Sequence, residues 1–131
     1  MKLGEYLSKS IVMIEENEVK SVICNDIPEL AIDLSMIKED REVYRSIECL
    51  TDYAKEVIRA KDMSAVRQAF LTAYSLLREG SFVVKSGVVN IFINSVSRIV
   101  NGNTKCEKNI RAEFFRSFGK EYNKLIYCHS I

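Results

Sequence analysis

The stretch from Ser81 to Val100 decides the fold class. Its many β-branched residues favour strand. Yet its polar residues, Ser86, Asn90, Asn94, Ser97 and then Asn101, recur at steps of four, four, three and four. Strand pairing would require alternation. Only a helix gathers that spacing into one narrow stripe. A helix that is apolar on all its other sides has to be covered by neighbours, so this segment predicts a central helix in an all-α chain.

The rest of the sequence agrees. One proline, Pro28, and five glycines are too few for a turn-rich β protein. Leu3, Leu7, Ile11 and Ile14 give a first helical stripe, and the acidic cluster Glu15, Glu16, Glu18 then falls at its unfavourable C-terminal end. Residues 19 to 25 fit either a helix or an extended connection. Pro28 suits the first turn of a short helix bearing Leu30, Leu34 and Ile37. Asp40 is placed to cap a helix with the stripe Val43, Ile47, Leu50, Ala54 and Val57, and Asp62 one with Val66, Phe70, Ala73 and Leu77. Gly80 is expected to end that helix in the left-handed conformation, Ser81 to open the central helix, and Asn101-Gly102 to close it. Thr104 and Glu107 form a capping box before Ile110, Phe114, Phe118, Tyr122 and Leu125. Phe70, Phe92 and Phe114, on three different helices, are expected to be buried. The architecture expected is a single domain, residues 1–131, of five to six helices. It would be an up-and-down antiparallel bundle or, given cap positions about 20 residues apart, a short HEAT-like α-α superhelix.

With 131 residues the chain is long enough to bury a core without a metal or disulfide. Nineteen basic residues nearly balance eighteen acidic ones, which argues against a general nucleic-acid or anionic-membrane binder. Lys85, Asn90, Asn94 and Arg98 interrupt the most apolar stretch, so no membrane span is expected. The N-terminus lacks the pattern of a signal peptide, which points to the cytoplasm. There the scattered Cys24, Cys49, Cys106 and Cys128, with no CxxC among them, would be free thiols.

Catalytic chemistry is hard to find. The lone histidine, His129, lies three residues into the C-terminus, and Cys128 beside it would point about 100° away on a helix. Glu48, Asp52 and Glu56 share a helix face but lack the Glu-x-x-His partners of a di-metal bundle. They read instead as a solvated face with ion pairs Arg45–Glu48, Asp52–Lys55 and Glu56–Arg59. Glycines match no phosphate-binding loop. No cofactor, metal or catalytic residue is therefore expected. Charge is segregated, however. Residues 101 to 131 hold six basic and three acidic residues, and Arg116, Lys120 and Lys124 step by four into a basic ridge.

The order Ile27-Pro-Glu-Leu30, Leu76-Leu-Arg-Glu-Gly80, Val83-Val-Lys85 and Glu113-Phe-Phe-Arg-Ser-Phe-Gly-Lys-Glu-Tyr122 resembles small helical bacterial proteins of uncharacterised function. It is also similar to immunity proteins that neutralise polymorphic toxins. The resemblance implies an all-helical bacterial cytoplasmic protein and no activity. The function expected is a non-enzymatic protein-interaction module, immunity-like or regulatory, with a homodimer possible. The ridge Arg116, Lys120, Lys124 is its candidate partner surface, although an amphipathic terminal helix with a buried aromatic face would show the same cations as a plain solvated face. Nucleic-acid binding through that ridge is the alternative, and an enzyme with an unrecognised site the third.

Overall fold

A computed structural model describes residues 13–38, 42–102 and 108–130. They form six helices: α1 (Val19–Asp26), α2 (Ala31–Ser35), α3 (Glu42–Arg59), α4 (Met63–Glu79), α5 (Phe82–Gly102) and α6 (Lys108–Ser130). The chain is an all-α domain, and no strand occurs among the described residues. The stripe Leu3, Leu7, Ile11, the Asp40 cap, the Thr104–Glu107 box and Cys106 lie outside them.

The ambiguous residues 19 to 25 are helical, and this reverses the reading of the acidic cluster. Glu16–Glu18 form a 3₁₀ turn that leads into α1 rather than ending a helix. The Glu18 carboxylate accepts from the Glu15 N–H at 2.8 Å. The carboxylates thus sit at a helix start, where the dipole favours them. Pro28 opens a second 3₁₀ turn, Pro28–Leu30, ahead of α2, as its missing N–H permits. Asp62 caps α4 by accepting from Ala65 N–H at 3.2 Å, and Ser81 caps α5 by accepting from Val84 N–H at 3.4 Å.

Gly80 departs from expectation. It is extended (φ −75°, ψ 158°), not left-handed. The reason is a parallel bridge to Ile14, in which Ile14 N–H donates to Glu79 O and Ser81 N–H to Ile14 O. Glycine is needed there for space. A Cβ would lie 2.4 Å from the Leu76 carbonyl oxygen and 2.5 Å from Val84 Cγ1. Gly87 serves closeness too, since a Cβ on it would come 2.7 Å from Ile47 Cδ1, so its absence lets α5 approach α3.

One buried cluster runs from Val19 to Phe118. Within it α5 packs against α3, α4 and α6, and α1 against α3 and α4. By length and composition α5 could cross a membrane, so Lys85, Asn90, Asn94 and Arg98 do not disqualify it as expected from sequence. One side of it is covered by protein: Val84, Val88, Phe92, Ile93, Val96 and Val100 are all buried. Burying such side chains contributes about 1.5–3 kcal/mol each. The α5 backbone is α-helical over Phe82–Gly87 and Asn94–Gly102 but π-helical over Val88–Ile93. Polar ties fix the ends. Arg111 Nε donates to the Val100 carbonyl at 3.1 Å, Asn101 Nδ2 to Tyr122 Oη at 2.7 Å, and Thr72 Oγ1 to Asp26 Oδ2 at 2.9 Å.

Candidate functional site

On α6, Phe114 and Phe118 point into the core and are fully buried. The helical repeat then obliges Arg116, Lys120 and Lys124 to share another face, and all three are exposed. That face does not stand alone. The packing of α4 and α5 beside α6 leaves a groove of about 900 Å³, and all three ridge residues line it. Arg78 from α4 and Lys85 from α5 join them, so five basic side chains face one acidic residue, Glu121. Leu77, Val89, Leu125 and Tyr74 add an apolar lining, with Asn90 and Ser117 as neutral polar groups. The π-helical turn supplies Val89 and Asn90. Such turns occur frequently at functional sites.

The cations differ in how far they are already engaged. Arg116 Nη1 donates to Glu113 Oε1 at 3.0 Å, and Arg67 reaches the same oxygen at 3.9 Å. The Arg78 guanidinium lies 5.8 Å from the centre of the Tyr74 ring, a cation–π arrangement. Lys85, Lys120 and Lys124 have no ion-pair or hydrogen-bond partner among the described residues. Three ammonium groups therefore border an apolar floor, with Glu121 the one acid in the lining and no ion pair formed to it among the described residues. An anionic surface carrying some apolar area would satisfy both features.

A family model described as a domain of unknown function, DUF7674, matches residues 20–129. The chain belongs to the DUF7674 family. No curated protein and no solved structure matches it. The DUF7674 match begins in the first turn of α1 and extends almost to the end of α6, so it takes in every element that builds the groove.

The DUF7674 domain carries a second concavity, of opposite charge, between α2 and α3. Glu29 and Asp33 face Glu48, Asp52 and Glu56 across a cleft of about 560 Å³ that also holds Arg45, Cys49 and Tyr53. The acidic face read from sequence is thus not simply solvated but joined by two further carboxylates. Of its three expected ion pairs only Arg45–Glu48, at 4.0 Å, is found among the described residues. Burial pushes the Cys49 thiol pKa up, and the charges of Asp33 and Asp52 add to the effect. Tyr53 is shifted up as well, first by burial and then by the Glu29 carboxylate. Both groups are held neutral, the opposite of an activated nucleophile. No three described residues are arranged to hold a metal ion. Cys24 and Cys49 are free thiols. The side chains of Cys128 and His129 lie outside the described residues.

Sequence reasoning found three of the five groove cations. Arg78 and Lys85 were missed because each is the lone cation of its helix turn. Only the packing of α4 and α5 against α6 brings them to the ridge.

Proposed function

We propose that this DUF7674 domain is a non-enzymatic protein-interaction module whose groove between α4, α5 and α6 receives an acidic, partly apolar helical surface of a partner chain. The observation that carries the reading is the meeting of five basic side chains, from three helices, around an apolar lining. A helix lying in such a groove is a recurrent recognition mode, with apolar anchors below and charges at the rim. An immunity-like or regulatory role in a bacterial cytoplasm is the biological setting that suits it, because both act by stoichiometric occupation rather than turnover. Nucleic acid is the weaker occupant. Affinity for a duplex is carried by many phosphate contacts, and here Arg116 is already held by Glu113.

The test is fluorescence anisotropy with two probes. One is an amphipathic helical peptide bearing glutamates at four-residue steps beside leucines, and the other a DNA or RNA oligonucleotide. The peptide should bind at moderate ionic strength, and R116E/K120E/K124E should abolish binding without changing the circular dichroism spectrum. Tight oligonucleotide binding that falls steeply with salt and vanishes in the same variant, with no peptide binding, would overturn the reading in favour of nucleic acid.

A further inference from the structure

The basic groove and the acidic cleft match each other in more than sign. The groove gathers five basic side chains and one acidic, and the cleft five acidic and one basic. On α6 the cations Arg116, Lys120 and Lys124 recur every four residues. On α3 the acids Glu48, Asp52 and Glu56 do the same. Each row is therefore about 12 Å long at 1.5 Å rise per residue, with charges about 6 Å apart. All six side chains are exposed. The two surfaces share no lining residue, and no ion pair joins them among the described residues. One molecule does not neutralise its own two faces through such pairs, whereas two molecules have the means to do so.

We propose that the occupant of the basic groove is the α3 acidic ridge of a second copy of this chain. This rests on the reading of the groove as a protein-docking surface and names its partner. The contact is heterologous, because the surface used on one copy differs from that used on the next. Each added copy leaves one groove and one ridge open, so assembly continues until a ring closes or a filament grows. Exposed ion pairs dominate the contact, so added salt weakens it.

Sedimentation velocity across a concentration series tests this. At low ionic strength the mean mass should rise above that of the 15.0 kDa monomer with concentration. It should return to the monomer value near 0.5 M salt, where the screening length is about 4 Å. E48K/D52K/E56K and R116E/K120E/K124E should each be monomeric alone, associate when mixed, and restore self-association when combined in one chain. The milder E48Q/D52N/E56Q should weaken association and guards against misfolding of the reversed variants. A wild-type chain monomeric at every concentration in low salt overturns the proposal, as does association that is indifferent to salt and to these substitutions. The acidic peptide separates the two readings. Peptide binding by a strictly monomeric chain overturns self-docking alone, and failure of both overturns the groove as a protein site.

Discussion

The two ends of the core are built from different side chains, and each end carries one of the charged concavities. Where α4, α5 and α6 meet, the core is aromatic. Phe70 lies 6.2 Å from Phe92, 6.1 Å from Phe114 and 5.7 Å from Phe118, centre to centre, in edge-to-face contact. Where α1, α2 and α3 meet, the buried side chains are aliphatic, among them Val19, Ile23, Leu34, Val43 and Leu50. There α2 is only five residues long and leaves Ile32 and Met36 exposed. Interlocked rings add about 0.5–1.5 kcal/mol per pair beyond the area they bury. A one-turn helix forms only because its neighbours hold it. The basic groove thus stands on the end with interlocked rings, and the acidic cleft on the end with the one-turn helix.

The sharpest way to break this contrast is to remove a ring. Phe92→Ala should cost about 3–5 kcal/mol by chemical denaturation, with loss of protection from hydrogen exchange across α4, α5 and α6. Leu34→Ala should cost less, within about 2–5 kcal/mol, and loosen mainly α1 and α2. Equal losses spread evenly over all six helices would show one undivided cooperative core.

Much of the fold was legible from spacing alone. Phe70, Phe92 and Phe114 fall on apolar stripes and are buried, and Asp62 and Ser81 cap the helices they precede. What failed depended on partners remote in the chain. Gly80 is extended because Ile14 pairs with it, and no local signal announces a bridge across that distance. Glu15, Glu16 and Glu18 read as the end of the Leu3–Ile14 stripe because residues 19 to 25, into whose helix they lead, fit an extended connection equally well. Ser97 belonged to a polar stripe yet is buried, its hydroxyl satisfied by the Asn94 carbonyl at 2.9 Å. Three of the five groove cations were readable for the same reason: a helical ridge is local, but a groove between three helices is not.

A smaller effect should come from the polar link between the two ends. Thr72→Val removes the hydroxyl that donates to Asp26, and should cost about 1 kcal/mol. The loss should show as faster amide exchange in α1 while α6 is unaffected. Uniform destabilisation would mean that Thr72 matters for packing and not as a tie.

The least perturbing probe is Cys49. Because burial and then the charges of Asp33 and Asp52 raise its pKa, Asp52→Asn should move the midpoint of its alkylation pH profile downward and speed labelling at mildly alkaline pH, with stability nearly unchanged. An unmoved profile would indicate that burial alone sets the thiol, and that the cleft's charges do not converge on it.

The π-helical turn Val88–Ile93 has a consequence for how this chain tolerates change in length. Each of its hydrogen-bonded loops encloses one more residue than an α-helical loop, so the turn acts as an absorbed insertion. The halves of α5 on either side are out of phase by about the 100° that a single residue contributes. Phe82–Gly87 is phased to bring Gly87 against α3, and Asn94–Gly102 to bring Asn101 to Tyr122 on α6. Deleting one residue within the turn would restore an α-helical ladder with both halves still facing their partners, whereas winding all the present residues as α-helix would rotate one half away from its neighbour by about 100°. The irregular backbone is what lets one helix keep two different partners in step.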